Sequence, residues 1–94
     1  MDRRELERSW AMTRRHLDSA FRLLAGRPSP TELEQYNEYL DHNELELAFT
    51  ELEALGDVNR APDSFWDELI AAAENMGVNE HTERCRKRLS DHRD

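Results

Sequence analysis

The 94-residue sequence contains one cysteine, three glycines and three prolines, and it has no long run of apolar residues. A lone cysteine, Cys85, cannot form an internal disulfide, which is typical of proteins in a reducing compartment. A membrane span needs about 18 consecutive apolar residues, and a secretory signal needs an apolar segment where the first residues here are charged. We therefore expect a cytoplasmic protein with little scope for active-site loops.

Motifs that carry enzymatic chemistry are also missing, since there is no glycine-rich phosphate loop and no G-x-S-x-G sequence. The many carboxylates single out no pair for acid-base catalysis or magnesium binding. His81 and Cys85 have the spacing of two metal ligands on a helix, but no second pair accompanies them. Cys85 could be an activated thiol among Arg84, Arg86 and Lys87, although a small core residue is the preferred interpretation. We expect no catalytic residue, no metal, no cofactor and no enzymatic activity.

Charge is distributed unevenly along a chain whose net charge is -8. Residues 1 to 27 hold seven arginines and four acids, and residues 84 to 94 hold five basic residues and two acids, so each segment is +3. Residues 28 to 83 hold fifteen acids and one base, Arg60, which makes the middle -14. Such a middle repels nucleic acid and membranes and attracts basic proteins. A merely solvated acidic face is the competing interpretation.

Apolar residues recur at three- and four-residue spacing, and no segment alternates with the period of a strand. We predict helices over residues 3–25, 30–40 and from about Asp41 to Leu55, then from Pro62 to Gly77 and over 80–91. The first stripe runs from Leu6 through Trp10 to Leu24, and the second helix directs Leu33, Tyr36 and Leu40 inward. The predicted fold is all-α, a compact antiparallel bundle of four to five helices forming one domain over residues 1–94.

The signals for the ends of these helices are of uneven quality. Ser29, Pro30 and Glu32 form the pattern of a capping box at the second helix. Gly56 is predicted to end the third helix and Gly77 the fourth, with Val58 folding back onto the end of the third. The last helix is poor in apolar residues and is expected to be the least firmly packed.

The third predicted helix differs from the others because it is apolar on two faces. Leu45, Phe49 and Leu52 belong to one stripe, whereas Leu47 points to nearly the opposite side. The preferred interpretation is a buried middle helix. In the alternative, Leu47 is an exposed anchor within an acidic patch that a partner covers.

A row of arginines, Arg8, Arg15 and Arg22, recurs every seven residues on the outer face of the first helix. Phosphate binding is one interpretation of this row. No aromatic residues are interleaved with it, and the neighbouring sequence is strongly acidic, so we favour a solvated face and expect no nucleic-acid partner.

The segment YLDHNELELAFTEL, residues 39–52, resembles a helix of small bacterial immunity proteins of the MafI type and of their colicin-immunity-like relatives. The segment from Phe65-Trp66 to Met76-Gly77-Val78 is similar to their next helix. The resemblance covers about half of the chain. It implies a helical protein that binds and neutralises a cognate toxin, often a nuclease, made by the same cell.

A nuclease has a basic substrate cleft, so an acidic helical surface could occupy it or dock beside it. We predict that acidic and aromatic residues of the middle region bind this basic protein toxin, namely Tyr36, Tyr39, Glu44, Glu46, Glu51, Glu53 and Asp57. The alternative is a homodimeric adaptor that associates through Leu47 or through the aromatic residues around Trp66.

Overall fold

A computed structural model describes the backbone of residues 2–93 and the side chains of residues 2–91. The chain forms five helices, α1 (Arg3–Arg22), α2 (Pro30–Asp41), α3 (Leu45–Val58), α4 (Asp63–Met76) and α5 (Asn79–Arg93). No strand occurs in this part of the chain. The predicted all-α class is therefore confirmed.

Helix α4 lies at the centre of the bundle, because α1 packs along one side of it and α5 along another. Its Phe65, Trp66 and Leu69 are buried, as are Leu17 on α1 and Cys85 on α5. Helix α2 packs mainly against α3, which also contacts α1 and α4. The core is thus continuous across all five helices.

Two predicted helix ends have the expected physical cause. The Ser29 hydroxyl accepts from the backbone N–H of Glu32 at 3.2 Å, and the Glu32 carboxylate accepts from the backbone N–H of Ser29 at 2.8 Å. This is the complete capping box. Gly77 ends α4 with a positive φ of 75°, a conformation that glycine adopts without steric cost.

The prediction that Gly56 ends α3 is wrong. The helix continues to Val58, and Gly56 is buried inside it where α3 crosses α4. A Cβ atom at Gly56 would lie 2.9 Å from Cζ of Phe65 and 3.0 Å from Cη2 of Trp66, so glycine is required by the close approach of two helices. Val58 is 81% exposed and does not fold back.

Other boundaries differ by a few residues. Helix α1 ends at Arg22 rather than near residue 25, and the chain then turns through Ala25 and Gly26, both with positive φ. Helix α3 begins at Leu45, after a turn in which Asn43 has a φ of 55°. Leu33 of α2, expected to point inward, is exposed, whereas Tyr36 and Leu40 are buried as expected.

Helix α5 is held more firmly than its composition suggests. His81, Thr82, Cys85 and Leu89 are all buried, and α5 packs extensively against α4. Residues three and four apart on a helix share one face. A few residues at that spacing are therefore enough to seat this helix.

Replacing Gly56 with alanine should destabilise the fold. Alanine is the better helix former by about 1 kcal/mol, but overpacking against the rings of Phe65 and Trp66 costs about 1–3 kcal/mol. The exposed Ala54 of the same helix is the control, since Ala54→Gly should cost only the propensity difference, about 1 kcal/mol. Urea denaturation of both variants measures this, and a Gly56→Ala protein more stable than the wild type would contradict the proposed packing.

Candidate protein-binding groove

An open groove of about 510 Å³ lies between the first half of α1, the start of α3 and the end of α4. Its apolar lining comes from Leu6 and Trp10 of α1, Leu47 of α3 and Met76 of α4. These residues are far apart in the sequence and meet only in the folded chain. We call this surface the acidic groove, because its charged lining residues are Glu44 and Glu46.

The two faces of α3 differ in burial. Leu45, Phe49 and Leu52 are buried, whereas Leu47 is 49% exposed, so the bundle covers it only in part. A partner at Leu47 stays a prediction. Trp10 beside Leu47 is 40% exposed. Isolated exposed apolar residues are ordinary on protein surfaces, but several large ones converging in one concave site are typical of an interaction surface.

The floor of the groove is fixed by a bridge between α1 and α4. The side-chain amide of Asn75 donates to the backbone carbonyl of Ser9 at 2.6 Å and to the hydroxyl of Thr13 at 2.7 Å. An amide has two N–H groups, so both bonds can form at once. Thr13 is buried. The relative position of the two helices is therefore set before any partner arrives.

The turn between α2 and α3 directs an unused carboxylate toward the groove. Asn43 adopts a left-handed conformation, and the backbone N–H of Glu44 donates to the carbonyl of Tyr39 at 2.8 Å. Glu44 occupies the N-cap position of α3, yet its side chain makes no capping bond. Its charge is exposed and available to a partner.

Glu46 is oriented by an imidazole from α5. The Arg84 guanidinium has no acceptor, so it must donate to Nδ1 of His81, which leaves Nε2 carrying the ring proton. That Nε2–H donates to the Glu46 carboxylate at 3.0 Å. The imidazole is itself stacked on Phe49, with ring centroids 4.7 Å apart. Glu46 remains largely exposed at the groove edge.

Of the predicted aromatic contacts, Tyr36 is turned away from the surface. It is 2% exposed and stacks on Phe21 with ring centroids 4.7 Å apart. Its hydroxyl donates to Asp18 at 2.8 Å. Burial and this carboxylate raise the pKa of Tyr36 well above its usual range. Tyr39 is half-buried against the core.

Two of the acidic residues predicted to bind a partner, Glu53 and Asp57, form ion pairs with arginines of α5. Glu53 is buried and forms ion pairs with Arg84 at 2.8 Å and Arg88 at 2.7 Å. Arg88 also pairs with Asp57 at 2.9 Å and lies 4.8 Å over the ring of Trp66. Burial tends to raise the pKa of Glu53, but hydrogen bonds from the two arginines outweigh it and hold the pKa below its usual range.

The remaining predicted residues divide between two places. Glu44 and Glu46 line the acidic groove, whereas Glu51 is half-buried and does not line it. Leu6 and Trp10 belong to the predicted apolar stripe of α1, yet they are 37% and 40% exposed. The lengths of the helices could have indicated this exposure. Helix α1 is about 30 Å long and α4 about 21 Å, so α4 cannot cover the whole length of α1.

Reactive chemistry has little support in the described residues. Cys85 is fully buried, and burial raises the pKa of its thiol to about 12, which agrees with a core role. No group of three or more His, Cys, Asp or Glu side chains in the described part could hold a metal ion. Across the same residues, no helix combines the length and apolar character needed to cross a bilayer.

Comparison of the chain with protein-family models, with curated proteins and with solved structures found no match. The resemblance to MafI-type immunity proteins therefore stays a prediction. The fold and the groove are the basis for any functional assignment.

Replacing Glu53 with glutamine should cost on the order of 1–3 kcal/mol at neutral pH, because a buried carboxylate paired with two arginines is lost. Its neighbour Glu51 has no ion pair in the described structure, and Glu51→Gln should change the stability by less than about 0.5 kcal/mol. Urea denaturation of both variants measures the difference.

The loss of stability in Glu53→Gln should also depend on pH, being larger at neutral pH than in acid. The folded-state pKa of Glu53 lies below that of the unfolded chain, so its contribution is complete above about pH 4.3 and is lost as the pH falls through the folded-state value. The gap between the wild type and Glu53→Gln should therefore narrow in acid. A gap that did not change with pH would contradict the ion-pair assignment.

Proposed function

We propose that this chain is an immunity-type protein that binds and neutralises a cognate bacterial toxin, a nuclease being the expected class. The observation that carries the proposal is the acidic groove, in which exposed apolar side chains and exposed carboxylates share one preformed surface. The family-like segment, residues 39–52, contributes Asn43, Glu44 and Leu47 to this lining. The proposal gives the chain a binding role and no catalysis of its own.

A basic partner fits the charges of the groove. None of the lining residues is a lysine or an arginine, so the local field there comes from Glu44 and Glu46. A nuclease must present cationic groups to the phosphates of its substrate. Complementary charge speeds the diffusional encounter of two proteins, while buried aromatic and aliphatic anchors supply most of the binding free energy.

The apolar lining can supply such anchors. Trp10 and Leu47 are each close to half exposed and lie on two different helices, so one inserted side chain could contact both. Tryptophan at the centre of an interface is a frequent source of binding energy. In this proposal Glu44 and Glu46 orient the partner and speed its association, and Trp10 and Leu47 slow its dissociation.

The variant Glu44→Lys/Glu46→Lys should slow association with the toxin. Where a reading frame beside this gene encodes a basic domain of nuclease size, that domain, purified as a catalytically inactive protein, is the probe. The association rate of the wild type should fall steeply between about 20 mM and about 500 mM salt, and the variant should lose at least tenfold at the lower salt.

The matched control is Asp67→Lys/Asp91→Lys, which changes the net charge equally at exposed sites outside the groove. It should change association much less. Co-expression with the active domain gives the biological readout, in which the wild type restores growth and the groove variant does not. Equal slowing by both variants would assign steering to net charge and would sink the groove as the binding surface.

Occupation of the groove should also be visible in tryptophan fluorescence. The chain has two tryptophans, and Trp66 is already 1% exposed, so only Trp10 can lose contact with water on binding. Addition of the basic domain should shift the emission to shorter wavelength. The control is Trp10→Phe, which lacks the fluorescence of Trp10 but keeps any change that comes from tryptophans of the partner. If this variant showed the same shift as the wild type, the partner would not bind at the acidic groove.

A homodimeric adaptor remains the second candidate, favoured by the exposure of Leu47. Association around Trp66 no longer fits, because that ring is buried. Dimerisation through the groove predicts a mass above the monomer value of 11.1 kDa that Leu47→Lys abolishes. Light scattering over a concentration series tests this, and a wild type that stays monomeric at high micromolar concentration excludes it.

A further inference from the structure

Three arginines of α5 form ion pairs with neighbouring helices, whereas four arginines of α1 form none with the described residues. On α5, Arg84, Arg86 and Arg88 each form an ion pair with an acid of α3 or α4. On α1, Arg4, Arg8, Arg15 and Arg22 are all exposed, and none forms an ion pair with any described residue. At 100° per residue these four fall within about 40° of one another, so they form a single stripe.

We call this stripe the arginine face. Ala11 and Met12 lie between Arg8 and Arg15, and the four residues border a shallow depression of about 290 Å³. Met12 is 44% exposed. The arginine face therefore has an apolar centre with an arginine at each end. On α1 it lies opposite Leu6 and Trp10, which line the acidic groove.

Helix α2 carries a surface of the opposite charge. Its Glu34, Glu38 and Asp41 border a second open depression of about 610 Å³, together with the exposed Leu33. None of the three acids forms an ion pair with another described residue. They lie on the side of α2 opposite the buried Tyr36. We call this surface the α2 acidic face.

We propose that the arginine face of one copy binds the α2 acidic face of a second copy. Arg8 and Arg15 are seven residues apart, as are Glu34 and Asp41, and both pairs therefore span about 10.5 Å along their helices. Two helices packed side by side along these faces place a cation opposite an acid at both ends. Met12 lies between the two cations of the arginine face, and Leu33 borders the α2 acidic face.

The pairing must occur between copies rather than within one chain. Tyr36 of α2 already contacts Asp18 and Phe21 near the end of α1. The α2 acidic face therefore points away from α1, and among the described residues no ion pair joins the two faces. Because every copy carries both faces, two copies can pair through one contact, head-to-tail, or reciprocally through two contacts around a two-fold axis.

A second copy accounts for more of the observations than a phosphate polymer. A nucleic-acid surface would be expected to interleave aromatic residues for stacking, whereas the residues between Arg8 and Arg15 that border the depression are Ala11 and Met12. One contact between two helices is small, so the association is weak and sensitive to salt.

Sedimentation equilibrium tests the proposal with protein at up to about 1 mM, since weak contacts dissociate in that range. The weight-average mass should exceed 11.1 kDa at about 20 mM salt and return to it at about 500 mM salt. The variants Arg8→Glu/Arg15→Glu and Glu34→Arg/Asp41→Arg should each stay monomeric at low salt, because each reverses the charges at both ends of one of the two complementary faces.

An equimolar mixture of these two variants should associate again, since the retained arginine face of one meets the retained acidic face of the other. Asp67→Arg/Asp91→Arg, with the same change of net charge as the α2 variant, should self-associate at least as strongly as the wild type. Circular dichroism checks folding, and the single variants Arg15→Glu and Glu34→Arg replace any double variant that does not fold.

Three outcomes would overturn the proposal. One is a wild type that stays at 11.1 kDa at low salt. Another is self-association that survives in both variants, which would assign it to a different surface such as the acidic groove. The third is a mixture that stays monomeric. If the wild type is monomeric and shifts a short DNA duplex only when Arg8 and Arg15 are present, the arginine face is a phosphate-binding surface instead.

Discussion

The buried carboxylate of Glu53 is the constraint on which the position of α5 depends. Its ion pairs with Arg84 and Arg88 connect α5 to α3, and Arg88 also covers Trp66 at the centre of the core. A buried charge without such partners would cost several kcal/mol, so the three side chains are fixed together. A helix with few apolar residues is held in this way by four buried residues packed against the core and by charge.

This cluster decides which charges the molecule presents. Arg84, Arg86 and Arg88 of α5 are paired with acids of α3 and α4, so the positive charges of these three side chains are largely offset within the fold. The acids at the start of α3 remain exposed, and so do the arginines of α1. The surface therefore has separate acidic and basic regions, although the sequence suggests only an acidic middle between two basic ends.

The sequence predicts the helices well, because apolar periodicity and the caps at Ser29 and Gly77 are local signals. It predicts the site poorly, because burial depends on which neighbour covers a face. Gly56 has the local signature of a helix end, yet a crossing between α3 and α4 requires it. Glu53 has the signature of an exposed acid, and only the fold brings Arg84 and Arg88 to it.

Leu6 and Trp10 show why the acidic groove exists at all. They continue the apolar stripe that buries Leu17 and Ala20. Near the end of α4, however, the described bundle covers them only in part and leaves them 37% and 40% exposed. Each Å² of apolar surface left in water forgoes about 25 cal/mol of stabilisation, so a partner that covers this surface gains what folding leaves unused. The arginine face lies on the other side of the same helix. One helix can therefore carry two contacts at once, an apolar one with an acidic border and a basic one.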